Sequence, residues 1–254
     1  MPVLLIEKQT PRVTVLTLNR PERRNALTIE LMTELIAAVE AANADKQQRV
    51  LILKGAGKAF CTGMDLNEVA QPEHAHASAE LVAKTLLSLS ESHLVTIAAV
   101  HGAAVAGGAG LMSACDFVVA AERTKLGYPE VRRGLVPGLI MTFLRRQLRE
   151  RDLRELLFGG ELFEAERGRE IGLVNRVVPP NELENETQKL AAAILQGAPG
   201  ALANTKRLLG KLWPTSVRDD IAQALAFHME ARESSEAKEG VAAFLEKRPP
   251  TWAE

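Results

Sequence analysis

The sequence has few cysteines, almost no net charge and no long apolar run. Its two cysteines, Cys61 and Cys115, stand far apart, so neither a disulfide framework nor a metal site is expected. Their scarcity fits a reducing compartment. Lys and Arg number 31 against 32 Asp and Glu, a formal charge of −1. That balance gives no global attraction to nucleic acid or to an anionic membrane. A basic stretch interleaved with aromatics, the mark of a nucleic-acid groove, is also missing. An anionic ligand would have to be met by a local basic cluster. No segment approaches the roughly 18–20 apolar residues that cross a bilayer. The opening MPVLLIEKQT acquires charge at Glu7 and Lys8, too early for a signal peptide. The expectation is a cytoplasmic chain without membrane or nucleic-acid partners. Nucleotide-binding glycine loops are absent as well: there is no G-x-G-x-x-G and no glycine loop ending in Gly-Lys-Ser/Thr.

What is present is ordinary globular material: 254 residues, 46% hydrophobic and 25% charged, enough for one large domain or a domain with an appendage. Val13 to Leu18 alternates as a strand. Thr28 is placed to cap a helix whose apolar face is Met32, Leu35, Ile36 and Val39. Val50 to Leu53, Val95 to Val100 and Phe117 to Ala120 read as buried strands, and Ala79 to Leu89 as a helix. The stretch QPEHAHAS before that helix reads as an exposed loop; its His74, His76 and Glu73 are taken as solvated residues, not metal ligands. Strand–loop–helix alternation predicts an α/β core. After Pro180 the segments 183–196, 201–212 and 217–246 read as helical, so a helical C-terminal region is expected. No fixed-period repeat is visible in the residues.

Three segments carry chemistry. In KAFCTGMDLNE (58–68), Gly63 permits a backbone turn that aims the N–H of Met64 into a cleft, although a plain strand-to-helix turn would use the same residues. In HGAAVAGGAGL (101–111), Gly107 and Gly108 stand where a helix should begin. Their unpaired N–H groups at the positive end of its dipole suit an oxyanion; close helix packing is the alternative. In LGYPEVRRGLVPG (126–138), Glu130 lies between Pro129 and Val131. Partial desolvation there would raise its pKa and suit it to proton transfer, whereas a surface carboxylate would pair with Arg132 or Arg133.

Taken in order and spacing, these segments resemble the enoyl-CoA hydratase/isomerase (crotonase) superfamily. LNRPERRNAL (18–27), LFGGELFEAERGREIGLVNRVVP (157–179) and FLEKRPP (244–250) resemble further signatures of that family, so the likeness covers nearly the whole chain. It implies an α/β spiral of repeated ββα units in residues 1–195, holding CoA and the active site. A helical region, 196–254, would cover the core and build trimers, a homotrimer or a homohexamer of paired trimers. It implies that Met64 and Gly107 donate main-chain N–H groups to a thioester oxygen and that Glu130 is the catalytic acid–base. Arg24, Ala26, Lys58, Asp65, Leu66 and Asn67 would follow the CoA, with Lys247 reaching the CoA of an adjacent subunit. No metal and no separate cofactor is implied, CoA being part of the acyl-CoA substrate.

One position departs from the family. Typical hydratases of this kind carry a second glutamate where this chain has Gly110. Two carboxylates then hold the attacking water, whereas one base suffices for double-bond isomerisation. The expected activity is therefore enoyl-CoA hydration, with 3-enoyl-CoA to 2-enoyl-CoA isomerisation or methylglutaconyl-CoA hydration as alternatives. A non-catalytic CoA- or RNA-binding member is the alternative from another class. Tyr128, and the stripe Leu139, Ile140, Phe143 and Leu144, are read as packing.

Overall fold

The computed structural model describes residues 1–69 and 72–253; the side chains of residues 67, 69, 72–76 and 253 lie outside that description. The chain runs β1 (Leu4–Thr10), β2 (Val13–Leu18), α1 (Ile29–Ala44), β3 (Val50–Gly55), α2 (Leu66–Val69) and α3 (Pro72–Ser90). It continues through β4 (Val95–Val100), β5 (Ala103–Val105), α4 (Gly107–Ala114), β6 (Phe117–Ala121), β7 (Lys125–Gly127), α5 (Gly138–Gln147) and α6 (Glu150–Gly159). Then come β8 (Phe163–Glu164), α7 (Ala165–Glu170), β9 (Arg176–Val178), α8 (Leu183–Ile194), α9 (Pro199–Lys211), α10 (Val217–Glu233) and α11 (Ser235–Glu246).

The larger sheet has the order β1-β2-β3-β4-β6-β9 and is parallel except for the β1–β2 hairpin. Parallel strands covered on both faces must be apolar throughout, which is why every residue of β4 is buried. Their period of two sorts residues between layers. Val13, Val15, Val50, Ile52, Ile97, Ala99 and Val119 face Leu190 and Ala191 of α8. Leu16, Leu18, Leu51, Leu53, Ala98 and Val100 face the larger core, with Leu31, Met32 and Leu35 of α1 and Leu86 of α3.

A second, smaller layer is built from short segments, parallel except for β8. Leu27 bridges Met64, Cys61 bridges Ala104, and β5 pairs with β7, which pairs with β8. Each long strand of β2, β3, β4 and β6 is thus followed by a short extended piece in this layer before the next helix. The result is the expected spiral of ββα units. The repeat is a repeat of structure and leaves no periodic residue pattern.

Three local expectations need correction. QPEHAHAS is not a loop over its described length, because α3 already begins at Pro72; the readings of Glu73, His74 and His76 as solvated side chains fall outside the described residues. The helix expected over 217–246 is two helices, broken at Ser234, whose hydroxyl accepts from the Ala237 N–H at 3.0 Å and caps α11. β1 was not foreseen: six of its seven residues are exposed, so it lacks the alternation that marks a half-buried strand.

The C-terminal helices fold back on the core. α10 packs on α5 and α3, and α11 packs on the turn at 129–133. Arg146 of α5 anchors α10 through Asp220 at 2.6 Å, in a pair nine-tenths buried. α9, by contrast, buries no residue. Among the described residues no helix is long and apolar enough to cross a membrane.

Candidate active site

Three parallel segments of the small layer end at one edge. Met64 lies three residues beyond bridging Cys61 and Gly107 three beyond its partner Ala104, while Glu130 lies four beyond Leu126, the residue of β7 that pairs with Ala104. The parallel pairing therefore runs all three segments toward the same rim of the small layer.

The first two arrive as main-chain groups. Leu27 pairs through its N–H to the Gly63 carbonyl (2.8 Å) and its carbonyl to the Asp65 N–H (2.9 Å). Met64 sits between those bonds, so its own N–H points away from Leu27. Gly107 opens α4, where a helix has no internal acceptor for its N–H. A Cβ built on Gly107 lies 3.8 Å from the Met64 nitrogen, and one built on Gly63 lies 3.2 Å from the Gly107 nitrogen. The two amides are neighbours, and neither has an acceptor among the described residues.

Two backbone features hold them there. Gly63 has φ of +91°, a conformation that side chains resist. Ala106, just before α4, has φ 51° and ψ −125° although it is not glycine. Such a backbone costs on the order of 1–3 kcal/mol, and surrounding bonds must hold it. The Ala106 N–H does so by donating to the Gly127 carbonyl at 2.9 Å. The sequence carries no signal for this strain, because an alanine among glycines reads as unremarkable.

Glu130 lies in a 3-10 turn, Pro129–Arg133, started by a proline and closed by Gly134 in the left-handed region. Its side chain is buried, only 8% exposed, and Oε2 has no hydrogen-bond partner. Burial pushes its pKa from the ordinary 4.5 up to about 7, opposed by its own backbone N–H and by the charge of Arg133. The alternative of a surface carboxylate is thereby excluded. Arg132 turns outward, its Nε and Nη2 donating to the Gly159 carbonyl. Tyr128 is fully buried with its hydroxyl against Ser113 Oγ at 3.1 Å, so it packs, as expected.

A raised carboxyl pKa has a consequence for folding. The native state holds the proton more tightly than the unfolded chain, so between about pH 4.5 and pH 7 stability falls as pH rises. Glu130→Gln removes that cost. We expect the variant to be more stable than wild type at pH 8, by on the order of 2 kcal/mol, with the gap closing below pH 5. Urea unfolding of both proteins at pH 8 and pH 5 tests this, and equal midpoints at pH 8 would contradict it.

Gly110 lies on α4 facing apolar neighbours. A Cβ there would stand 3.0 Å from Ile140 Cγ1 and 3.6 Å from Leu86 Cδ2. The space beside it is occupied by hydrocarbon. Ile140 and its companions Leu139, Phe143 and Leu144 are all buried, in keeping with their reading as core.

Arg24, Ala26, Asp65 and Leu66 lie on two loops drawn together by the Leu27–Met64 bridge. Arg24 is exposed in a left-handed conformation, and its carbonyl accepts from Thr62 Oγ1 at 3.4 Å. The Asp65 carboxylate is held by Arg20 at 3.0 Å, and Arg20 also donates to the Ala26 carbonyl at 2.5 Å. Leu66 begins α2; the Asn67 side chain falls outside the described residues. Lys58 is exposed, in a loop pressed against Gly102, where a Cβ would meet the Lys58 carbonyl at 2.0 Å. Lys247 is the exposed left-handed C-cap of α11.

Two residues were missed. Arg20 makes the clamp just described. Asn25 is fully buried and donates through Nδ2 to the carbonyls of Ala56, Ala59 and Phe60 at 2.8–3.1 Å, while its Oδ1 accepts from the Arg20 N–H. Both stand in LNRPERRNAL, and because their partners lie far along the chain the stretch itself carries no local signal for these roles. A cleft of about 370 Å³ elsewhere is lined by Lys54, His101 and Glu184 among others. Lys54 is already paired with Glu184 at 3.2 Å, and none of the candidate catalytic or CoA-binding residues lines that cleft.

A ββα spiral with two converging amides and a buried acid at one rim defines an enzyme of the crotonase fold. Solved structures agree. An enoyl-CoA hydratase from Mycobacterium avium superposes with TM-score 0.87 at 32% identity, covering 99% of each chain. A carnitinyl-CoA hydratase from the same species gives 0.87 at 30% identity, covering 99% of this chain and 98% of that one. The chain belongs to the enoyl-CoA hydratase/isomerase family, whose model matches residues 8–254. Among curated relatives, a Thermus thermophilus protein bearing an enoyl-CoA hydratase name is 38% identical over 98% of this chain and all of its own length. The 2,3-dehydroadipyl-CoA hydratase of Escherichia coli is 32% identical over 98% of both chains.

Proposed function

We propose that this protein adds water across the 2,3 double bond of a 2-enoyl-CoA thioester. The reading is supported by two neighbouring, acceptor-free amides, Met64 and Gly107, and by one buried carboxyl, Glu130, in the turn that follows the adjoining strand β7. The thioester oxygen accepts from both N–H groups. Charge grows on it as water adds at C3, and fixed dipoles stabilise that charge more than they stabilise the ground-state carbonyl. Glu130, as the carboxylate, takes the proton of the water and returns a proton to the α-carbon. CoA enters as part of the substrate, along Arg24, Ala26, Lys58, Asp65, Leu66 and Asn67, with Lys247 offered from a neighbouring subunit.

The apolar surroundings of Gly110 favour a second reading, isomerisation of a 3-enoyl to a 2-enoyl thioester by the single carboxylate. The deciding experiment follows purified protein with crotonyl-CoA and with 3-hexenoyl-CoA. Loss of the conjugated thioester absorbance with formation of 3-hydroxybutyryl-CoA supports hydration. Bond migration without hydration replaces it by the isomerase, and inertness toward both sinks both readings.

We infer also that the chain self-associates. α9 and the turn after it expose Leu208, Leu209, Leu212 and Trp213, a larger apolar surface than single scattered residues present. Light scattering is expected to give three or six times the 27.6 kDa chain mass. A monomer at micromolar concentration would refute it.

A further inference from the structure

We propose that Arg133 is a positioning residue for Glu130: α11 holds its guanidinium on the face of the turn that also carries the Glu130 carboxyl. The inference rests on the reading of Glu130 as the proton-transfer group. A 3-10 helix has three residues per turn, so side chains at i and i+3 eclipse. Within Pro129–Arg133 this sets Glu130 and Arg133 on one face, while Arg132 leaves toward Gly159.

α11 supplies the restraint. The Arg133 guanidinium lies 4.4 Å from the centre of the Phe244 ring. The backbone of α11 presses on the turn. A Cβ at Gly240 would stand 2.5 Å from the Arg133 carbonyl carbon, and one at Gly134 would stand 2.5 Å from the Glu236 carbonyl carbon. Arg133 Nε and Glu130 Oε2 are both buried without a hydrogen-bond partner. A half-buried cation and a buried acid on one face, not bonded to each other, interact through space in a medium that screens less than bulk water. Burial and Glu130 act oppositely on Arg133, just as burial and Arg133 act oppositely on Glu130.

Other charges near the turn are engaged elsewhere or face water. On α11, Glu239 and Glu246 are bound by Arg248, and Glu236 and Lys238 are exposed. On α6, Glu150 pairs with Arg154, Asp152 with Arg149 and Arg167, and Glu155 with Arg167, while Arg151 is exposed. His228 of α10 faces the Val136 carbonyl at 3.3 Å, and burial pushes its pKa below the ordinary imidazole value. Arg133 is left as the charge that acts on Glu130.

The test is kcat/KM for hydration of crotonyl-CoA against pH, from about 5 to 10, for wild type and four variants. Arg133→Met is expected to move the acidic limb upward by about half to one pH unit. Activity at pH 6 would then fall roughly three- to tenfold, with the curves merging at high pH. Arg133→Lys, which keeps the charge, should track wild type. Phe244→Leu, which frees the guanidinium, should shift the limb in the same direction by less. A uniform loss with the limb unmoved, or a Lys variant that behaves like Met, overturns the inference. Should Arg133→Met fail to fold by circular dichroism, Phe244→Leu decides on the same criterion. Glu130→Gln separates the two levels: if it hydrates like wild type, the assignment of Glu130 fails and the inference with it. If it is inactive while the Arg133→Met limb is unmoved, only the inference fails.

Discussion

Glu130→Gln is expected to lower kcat for hydration of crotonyl-CoA by about 10²–10⁴, the range spanned by positioned acid–base groups. The amide keeps the shape of the side chain and cannot exchange a proton. KM should move little, because the two amides proposed to meet the thioester oxygen belong to other segments. The wild-type rate should also rise with pH through about 7, since water attack needs the carboxylate and burial has raised its pKa to that value. In the variant that limb should vanish. Steady-state assays at several pH values measure all three effects. A variant within threefold of wild type at pH 8 would remove Glu130 from the chemistry.

Gly108→Ala is the second change with a large expected effect, although Gly108 offers no side chain and no proton. Its Cα faces the main chain of Cys61 so closely that an added Cβ would lie 2.1 Å from the Cys61 carbonyl oxygen and 2.6 Å from its carbon. Neither is the movable end of a side chain. The 61–64 segment must therefore shift away from the start of α4, separating the Met64 and Gly107 amides. Losing one such donor costs about 10²–10³ in kcat. Overpacking adds a stability loss of about 1–3 kcal/mol. A variant that unfolds only slightly more easily, yet loses kcat on that scale with KM nearly unchanged, is the expected outcome. Wild-type kcat would show that the two amides do not need their observed spacing.

Much of this was legible in the residues, and the boundary between legible and hidden is physical. β2 and β4 were bounded to the residue, because a strand buried on one or both faces writes its environment into its sequence. The start of α1 was readable from Thr28, whose hydroxyl accepts from the Leu31 N–H at 3.2 Å. The glycines at the start of α4 and the burial of Glu130 were also readable. Hidden features depend on distant partners. β1 pairs by backbone while exposing its side chains. Arg20 meets Asp65 forty-five positions away. Asn25 binds three carbonyls more than thirty positions on. The break at Ser234 was missed for another reason: helical periodicity on both sides runs through it, and a single capping hydroxyl outweighs it.

The groups that converge at positions 64 and 107 are main-chain atoms, and this has a consequence for how the protein is read by mutation. Replacing the methionine by another long side chain leaves its N–H in place, so a conventional side-chain survey would pass over this half of the apparatus in silence. Sensitivity would surface instead at positions that contribute nothing chemical themselves, those whose bulk or backbone freedom decides where the peptide planes lie. Swapping an amide for an ester at either position, by chemical synthesis or ligation, would address the apparatus directly.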